Sequence, residues 1–388
     1  MNVAKWLKPL LVFVVTAVVL VRCSNDVPVT SRFDLIGNNA VGSIVRLDLQ
    51  PPAFDSSASR VVNTGSGALL QLGAYNNTNS RFLIRFGSLP SGATARSAVL
   101  ILPTYRVLGS GAAFEATAHP LSTNWSELGV TQDSIGSAYG AIVGSQTVTT
   151  ADSDTVSIAL DPSLVTGWMN STISNYGVLV QAPNAPFAKQ LHARNSSAAV
   201  PVLRLAYTNN GVDSTKDVAS DRDAFIFEIL QPPPAGPLYV TNGTYAHALV
   251  KFDLSAIGKG ATINRAQLVL VVDPANTRLT TDGVVMRLFR VVKDNRDPLN
   301  APLDSSSVLD ASKFVSDSST VISFSIASTV QNWLREQSDL LHTDNFGVVV
   351  LPATPEEDLQ QIGFYSTKTN PGLAPSLVVD YTLPSNAQ

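Results

Sequence analysis

The chain contains one strand–turn–strand pattern twice, and this repeat constrains its fold more than any other feature. The earlier copy is Phe82–Phe86 followed by Gly92–Leu102, and the later copy is Ala248–Leu254 followed by Gly260–Val272. In both copies a segment with alternating apolar residues leads into Gly-Ala-Thr and then into a longer apolar run. Alternation with a period of two predicts a strand with one buried face, and the longer run predicts a more deeply packed strand. A repeat of about 170 residues indicates a duplicated domain and not a solenoid.

The amino-acid composition indicates the fold class. Only 14% of the 388 residues are charged, and clusters of Gly, Pro and Asn interrupt short runs rich in Val, Leu, Ile, Ser and Thr. Few segments show helical periodicity, so the chain is predicted to be all-β. We expect two tandem antiparallel β-sandwiches of the jelly-roll type, each with one short helix, after an N-terminal signal or anchor segment. Helix content should lie well below the globular average.

The N-terminal segment predicts export. Lys5 and Lys8 precede the apolar stretch Leu10–Val21, which suits a signal-peptide core better than a membrane span. Cys23 follows at once and is the single cysteine of the chain, so no disulfide framework is possible. This arrangement resembles a bacterial lipoprotein signal in which the cysteine is lipidated, although Arg22 stands where that motif has a small residue. A conventional cleaved signal and a retained membrane anchor are the alternatives, and all three place the chain outside the cytoplasm.

Two Gln-Pro-Pro segments predict where the two domains begin. Two alternating segments that end in Gln-Pro-Pro, Ser43–Leu49 and Asp223–Leu230, are predicted to open the two units, because proline cannot donate to a strand ladder. The expected divisions are a signal peptide (1–23), a polar tether (24–32), a first β-sandwich (33–208), a linker (209–216), a second β-sandwich (217–383) and a tail (384–388).

Each unit has one helix candidate. In the first unit Asp161 and Pro162 suit the N-cap and the first helical position, before apolar residues at helical spacing that include Trp168. In the second unit Ser328 precedes a similar pattern that includes Trp333. Both tryptophans are expected to plug one end of a sandwich. The polar segments 132–154 and 293–319 are predicted to be surface loops, with one strand as the alternative.

In order, these features resemble the DNRLRE-domain family of tandem modules in large bacterial and archaeal surface proteins. The segments that carry the resemblance are Leu249–Val272, Trp333–Val350, Pro371–Tyr381 and, for a Trp-x-Glu pattern in the first unit, Asn124–Thr131. The name-giving hexapeptide is absent from this chain, and the second unit lacks the Trp-x-Glu pattern. The resemblance implies β-sandwich modules at the cell surface, and some of the relatives are carbohydrate-binding modules.

Known catalytic motifs are absent from the sequence. The four histidines, His119, His192, His247 and His342, show no spacing typical of metal ligands, and there is no Gly-x-Ser-x-Gly elbow. Neither a P-loop nor Gly-x-Gly-x-x-Gly occurs. The formal net charge of −4, without a basic cluster beyond the first residues, argues against nucleic acid as a partner. We therefore expect a protein without enzymatic activity and without an obligatory cofactor.

Ligand-binding candidates are loop aromatics and one group of basic residues. Sugar recognition requires exposed rings beside hydrogen-bonding side chains, and the candidates are Tyr75, Trp125, Tyr139, Tyr239, Tyr245, Tyr365, Lys189, His192 and Arg194. Four acidic residues could supply oxygen ligands to a structural calcium ion, although solvated linker charges are the simpler interpretation: Asp213, Asp217, Asp221 and Asp223.

Taken together, the sequence predicts a non-catalytic lipoprotein of the cell envelope, held at the outer membrane or cell surface by its N-terminal lipid. Its expected partner is a polysaccharide, bound with avidity by tandem modules. The alternative is a structural or adhesive protein whose sandwiches present loops to another surface protein.

Overall fold

The computed structural model describes residues 43–151, 155–280, 283–355 and 358–384. The predicted signal peptide, Cys23, the tether and most of the tail lie outside the described residues. Strands account for 44% of the chain and helices for 7%, so the all-β prediction and the low helix content are confirmed.

Antiparallel strands dominate the described part of the chain. In chain order the strands are β1 (Ile44–Leu49), β2 (Phe54–Ser59), β3 (Leu69–Tyr75), β4 (Thr78–Arg85), β5 (Thr94–Leu102), β6 (Thr104–Leu108), β7 (Phe114–Pro120), β8 (Gly144–Val148), β9 (Val156–Leu160), β10 (Val178–Gln181), β11 (Ala188–His192), β12 (Val202–Asn209), β13 (Val212–Ala219), β14 (Arg222–Ile229), β15 (Leu238–Thr241), β16 (Ala246–Lys251), β17 (Thr262–Val271), β18 (Val284–Arg290), β19 (Lys313–Val315), β20 (Val321–Ser325), β21 (Val348–Pro352), β22 (Gln361–Phe364) and β23 (Ser376–Thr382). The α-helices are α1 (Gln132–Ile135), α2 (Pro162–Met169) and α3 (Ala327–Leu334), and a 3-10 turn covers Pro274–Asn276.

Four sheets form two pairs, each around its own hydrophobic core. In the first sheet pair, the small sheet β13-β12-β5-β9 faces a large sheet ordered β6-β11-β3-β4-β10-β7-β8, with β14 added beside β4. In the second sheet pair, the small sheet β1-β23-β17-β20 faces a large sheet ordered β19-β18-β21-β16-β15-β22, with β2 added beside β16. The repeat seen in the sequence occupies matching positions, because β4 and β16 are central in the large sheets while β5 and β17 are central in the small ones.

The predicted N-terminal boundary of each of the two domains is wrong. The expected linker 209–216 forms the turn of a hairpin, since β12 and β13 pair from Val202↔Ala219 to Asn209↔Val212. The next strand, β14, pairs with β4 of the first sheet pair. Conversely, β1 pairs with β23 and β2 pairs with β16, so residues 44–59 complete the second sheet pair. The two Gln-Pro-Pro segments therefore do not occupy equivalent places.

The helix predictions are confirmed, with two differences. Asp161 caps α2 by accepting a hydrogen bond from the Ser163 amide at 2.8 Å, and both Trp168 and Trp333 are buried. Helix α3 begins one residue before Ser328, and its N-cap position holds Ile326 without a side-chain cap. A four-residue helix, α1, lies in the segment 132–154 that was expected to be loop; Thr131 and Ser134 form its capping box.

The Asn-aromatic-Gly motif has the same structural role in each sheet pair. The Asn175 side chain donates to the Phe86 carbonyl at 2.8 Å, and the Asn345 side chain donates to the Phe252 carbonyl at 2.9 Å. In each copy the asparagine also accepts from the amide of the glycine two residues later, Gly177 or Gly347. Both glycines have positive φ and lie against the backbone of the neighbouring central strand. The motif thus joins the end of a central strand to the start of the next one.

The two sheet pairs meet through a buried polar network. The Asp358 carboxylate accepts hydrogen bonds from Arg106 and Gln190 of the first sheet pair, both at 2.8 Å. It also accepts from the side chain of Gln360 at 2.7 Å. Because a buried carboxylate needs all of these partners, the network fixes how the segment 358–361 sits against the first sheet pair.

The glycine of the motif should not tolerate a side chain. A Cβ at Gly177, where φ is +85°, would lie 2.1 Å from the Ile84 carbonyl oxygen, whereas a Cβ at Gly211, where φ is +77°, would meet nothing within 4 Å. We expect Gly177→Ala to lower the free energy of unfolding by roughly 2–4 kcal/mol, through backbone strain plus the steric conflict. Gly211→Ala, which has the strain alone, should cost about 1 kcal/mol. Chemical denaturation measures both, and equal effects would contradict the proposed role of the motif.

Candidate functional site

A cleft of about 850 Å³ lies where the two sheet pairs meet. We call it the junction cleft. Its walls come from residues 55–59, 76–78, 231–239 and 359–361, together with Ile229, Thr241, Asn242, Thr244, Ala246, Ala275, Asn276, Arg278 and Lys368. Two repeat-related hairpin turns reach it, one between β3 and β4 and the other between β15 and β16. The cleft therefore combines equivalent ends of both sheet pairs into one site.

The first of these turns is fixed by its sequence. Asn76 and Asn77 both have positive φ, which an Asn-Asn pair tolerates in a two-residue hairpin turn. The Asn76 side chain donates to the carbonyls of Arg278 and Leu359 at 3.3 Å each, and the Asn77 side chain donates to the Gln231 carbonyl. The turn that closes a hairpin of the first sheet pair therefore also holds the wall of the cleft in the second.

The walls are rich in hydroxyl and amide groups. Strand β2 contributes Ser56, Ser57 and Ser59, and the opposite side contributes Gln361 and the rim residue Arg278. Ser57 Oγ donates to the Pro237 carbonyl at 3.3 Å, and Gln361 Nε2 donates to the Asn276 carbonyl at 2.9 Å. Such groups exchange hydrogen bonds with a polar, neutral or hydroxylated ligand while the backbone behind them stays fixed.

Charged groups in the junction cleft are few. Asp55 is buried, and both of its oxygens are occupied by Thr367, whose amide donates at 2.7 Å and whose hydroxyl donates at 2.5 Å. Arg278 and Lys368 are exposed, and within the described residues neither is paired with a carboxylate. Both side chains place a positive charge and hydrogen-bond donors at the rim.

Of the aromatic candidates, Tyr239 is the one that lines the cleft. Its ring is buried, and its hydroxyl lies 3.1 Å from the Pro234 carbonyl oxygen and 3.2 Å from Asn276 Oδ1. Burial, with nearby Asp273 acting in the same direction, raises the pKa of Tyr239 to about 12, so the phenol stays protonated at neutral pH. Tyr75 directly precedes the Asn76 turn and is half-buried; burial raises the pKa of its phenol as well. Neither ring offers an open stacking face in the cleft.

Trp125 contradicts the expectation of an exposed ring. Its side chain is only 6% exposed and packs with Val130, Ile135 and Ile226 in a small core beside the large sheet. The indole Nε1 donates to the Tyr176 carbonyl at 2.8 Å. A second cavity of about 510 Å³ borders this segment, lined by residues 124–128 and Arg222. The indole is thus part of the packing between α1 and β14.

The remaining aromatic candidates lie apart from one another. Tyr139 is half-buried, with the edge of His119 at 5.2 Å and the Arg81 guanidinium at 5.6 Å from its ring. Tyr245 lies edge-on to His247 at 4.2 Å between ring centroids. Tyr365 is half-buried next to β22. These rings do not form a shared platform.

The three basic candidates do not converge either. Lys189 is 1% exposed, and its Nζ donates to the carbonyls of Thr149 and Ala151 at 3.3 and 3.0 Å. His192 Nδ1 lies 2.8 Å from the Ser196 hydroxyl. Arg194 is exposed and pairs with Glu127 at 3.1 Å. Each therefore has a different local role.

The four aspartates proposed for calcium are separated by their own partners. Asp213 pairs with Arg96 at 3.0 Å, Asp217 pairs with Arg204 at 2.8 Å, and Asp221 pairs with Arg85. Across the described residues, no group of three or more His, Cys, Asp or Glu side chains is arranged to hold a metal ion. The calcium candidates are therefore wrong, because three of the four carboxylates are already neutralised by arginine.

Asp223 differs from the other three, and sequence reasoning missed its role. Its buried carboxylate accepts the Arg194 amide at 2.8 Å, while its own amide donates to Glu127 at 3.1 Å. Burial, with the nearby charge of Glu127 adding to it, raises the pKa of Asp223 to about 7. These two hydrogen bonds attach the start of β14 to the Trp125 segment and to the residues that follow β11. In the sequence, the Trp-x-Glu pattern was the one signal of this contact.

Comparison with known proteins gives no evidence about the function of this chain. No family model and no curated protein matches the sequence. Among solved structures, BspA_C_mut is 10% identical over 86% of this chain and 91% of that chain, at a TM-score of 0.16. The collagen-binding domain of the Erysipelothrix rhusiopathiae surface protein RspB is 9% identical over 90% of this chain and 84% of that chain, at a TM-score of 0.09. The T=1 particles derived from infectious bursal virus are 10% identical over 91% of this chain and 79% of that chain, at a TM-score of 0.14. Scores this low support no functional argument.

Asp223 should make stability depend on pH. Its folded-state pKa of about 7 exceeds the ordinary value of about 3.8, so the folded protein holds the proton more tightly. The stability that protonation provides is complete below pH 4 and is lost as the pH rises through 7, by roughly 4 kcal/mol at about 1.4 kcal/mol per pKa unit. We expect Asp223→Asn, which keeps an acceptor for Arg194, to flatten the thermal unfolding profile between pH 4 and 8 and to raise Tm at pH 8.

Asp217→Asn is the matched control, because the Asp217–Arg204 pair is exposed and should contribute little. If the Asp223→Asn and Asp217→Asn variants change the pH dependence of Tm to the same extent, Asp223 does not carry a buried proton.

Proposed function

We propose that this chain is a non-catalytic lipoprotein of the cell envelope, built from two tandem jelly-roll-type β-sandwich modules, and that it binds carbohydrate in the junction cleft. The observation that carries the proposal is the cleft itself, a concave site of about 850 Å³ lined by serine hydroxyls, asparagine and glutamine amides and two exposed cations. Sugar hydroxyls pair with such groups, and preformed clefts at domain interfaces are common ligand sites.

The site differs from the one expected from the sequence. Residues of both modules line the cleft, so in the described part of the chain the proposed site is one shared cleft and not one stacking site in each module. Recognition would depend on hydrogen bonds, because Tyr239 is buried and directs its hydroxyl to Pro234 and Asn276. A hydrogen-bonding site discriminates strongly between ligands that do and do not satisfy its groups.

The absence of catalysis is part of the proposal. The histidines engage structural partners: His119 contacts the Gly140 carbonyl at 2.9 Å, His247 contacts the Pro298 carbonyl at 3.1 Å, and His342 contacts the Arg335 carbonyl at 2.8 Å. The junction cleft is lined by Asp55 as its one carboxylate among the described residues, and Thr367 occupies both of its oxygens. A pair of free carboxylates, which glycoside hydrolysis generally requires, does not line the cleft in the part of the chain described.

A structural or adhesive role is the second candidate, and the burial of the aromatic residues favours it. Trp125, Trp168 and Trp333 all serve the cores, and the Asp358 network makes the junction between the sheet pairs rigid. A rigid pair of modules could present its loops to a protein partner.

The ligand proposal predicts that a rim residue is required for binding. We expect residues 24–388 to bind a polysaccharide on an array of neutral and acidic glycans, and Arg278→Ala to weaken that binding at least about tenfold, since hydrogen bonds from charged groups contribute about 1.5–3 kcal/mol. Arg287→Ala removes an exposed arginine of β18 that does not line the cleft and should bind normally. Binding to no polysaccharide at all would shift the proposal to the structural or adhesive role.

The anchoring proposal predicts a requirement for Cys23. Lipidated wild-type protein should partition with membranes, because more than one acyl chain is needed for stable attachment. Cys23→Ser should release the protein into the soluble fraction or leave an unprocessed precursor of higher mass. Unchanged partitioning together with unchanged size would rule out lipidation at this position. Among the described residues, no helix has the length and apolar character needed to cross a bilayer.

A further inference from the structure

The loop that follows α3 presents two leucines to solvent. Leu340 is 101% exposed and Leu341 is 58% exposed, although both are large aliphatic side chains. Isolated exposed leucines are common on protein surfaces, but two consecutive ones at a loop tip form an apolar protrusion.

The loop is built to hold this tip in place. The Leu341 amide donates to Asp339 Oδ1 at 2.8 Å, and Asp339 pairs with Arg335 at the same distance. His342 Nδ1 contacts the Arg335 carbonyl at 2.8 Å, and the Thr343 amide donates to the Asn332 carbonyl at 3.2 Å. These four contacts hold the loop against the end of α3, and the two leucines face outward.

The corresponding loop of the first sheet pair is shorter and has no pair of exposed leucines. Seven positions separate Trp168 from Asn175, whereas twelve separate Trp333 from Asn345. In the shorter loop one apolar residue, Ile173, is 44% exposed and still packs on α2, so close to Gly167 that a Cβ there would lie 2.5 Å from Ile173 Cδ1. The exposed leucine pair therefore belongs to an insertion that is specific to the second sheet pair.

The protrusion lies at the end of the second sheet pair where the chain enters it. Gln331 of α3 accepts from the Ile263 amide at 2.8 Å and donates to the Ala261 carbonyl at 3.2 Å, which places α3 at the start of β17. At that same end β17 pairs Thr262 with Thr382, and Thr382 pairs with Ile44, the first residue of β1. Ile44 is itself 67% exposed.

The junction cleft lies at the opposite end of the same strands. Strand β16 begins at Ala246, which lines the cleft, and runs to Lys251, next to the Phe252 carbonyl that Asn345 holds. Ile44 and the leucine tip therefore lie at one end of the second sheet pair, and the junction cleft lies at the other end.

We propose that Leu340 and Leu341 insert into the interfacial region of the bilayer that carries the lipid anchor, and so orient the protein with its cleft outward. This inference rests on the proposed anchoring. Twenty residues separate Cys23 from Ile44, and a chain of that length can span at most about 70 Å, so an anchor at Cys23 allows contact between the tip and the bilayer without enforcing it. Tethering raises the effective concentration of the tip at the surface, which lets a weak apolar contact persist. The loop carries Glu336, Asp339 and Asp344 against one arginine, Arg335, which pairs with Asp339, so its net charge is negative and the lipid surface that fits is zwitterionic and not anionic.

Quenching by brominated lipid tests the insertion. Residues 24–388 with an N-terminal hexahistidine are tethered to phosphatidylcholine vesicles that contain a nickel-chelating lipid and dibrominated phosphatidylcholine. Leu340→Trp adds an indole at the tip, and its emission above that of the parent protein should fall by about half when brominated lipid is present. Leu128→Trp is the control, because Leu128 is 69% exposed and lies beside Arg222 in the first sheet pair. Strand β14 runs from Arg222 toward the cleft, so Leu128 lies at the end of the first sheet pair that is far from the cleft.

Each outcome decides the proposal. Quenching of the Leu340→Trp variant but not of the Leu128→Trp variant supports insertion, whereas equal quenching or none overturns it. The tether used in this experiment does not depend on Cys23, so a negative result leaves the anchoring and the glycan site untouched. A wild-type chain found fully soluble in the Cys23 experiment would instead remove the anchoring, and this inference with it.

Discussion

The pairing of the first described strand with the last one determines the rest of the structure. Strand β1 pairs with β23 over six residues, from Ile44↔Thr382 to Leu49↔Leu377, and β2 pairs with β16 from Phe54↔Lys251 to Ser59↔Ala246. The second sheet pair is therefore built from both ends of the chain, whereas the strands of the first sheet pair all lie within residues 69–229. Contacts this distant in sequence are slow to form, because the entropy of closing the loop between them must be overcome first. The first sheet pair can be completed early, and the second must wait for the C-terminal strand.

The same pairing creates the candidate site. Strand β2 supplies the serine-lined wall of the junction cleft because it lies beside β16, and the Asn76–Asn77 turn of the first sheet pair reaches the opposite wall. The buried carboxylate of Asp358 then holds the segment that closes the cleft against Arg106 and Gln190. Each of these contacts joins residues that are far apart in sequence, so the site depends on the complete fold and not on either module alone.

Sequence patterns predicted the parts of this structure that local physics controls. The alternating strands of the repeat, the Asp161–Pro162 start of α2 and the burial of Trp168 and Trp333 are confirmed, since periodicity and capping act within a few residues. The partners of β1, β2, β13 and β14 could not be predicted in this way. The two copies of the repeat have similar sheet edges, so an edge strand fits either copy. Which sheet pair the strand joins depends on loop geometry, and loop geometry leaves no periodic pattern in the sequence. Trp125 shows the same limit, because the local sequence does not reveal that β14 covers its ring.

Hydrogen exchange on a chain that lacks residues 44–59 tests whether the N-terminal strands complete the second sheet pair. We expect backbone amides of β16, β17 and β23 to lose their protection in this variant, because the strands beside β16 and β23 are gone. Protection in β4, β12 and β14 should remain close to that of the full-length protein, since those strands pair among residues 69–229. Loss of protection in β4 and β12, with β16 and β23 unchanged, would contradict this pairing and would place the N-terminal strands in the first sheet pair.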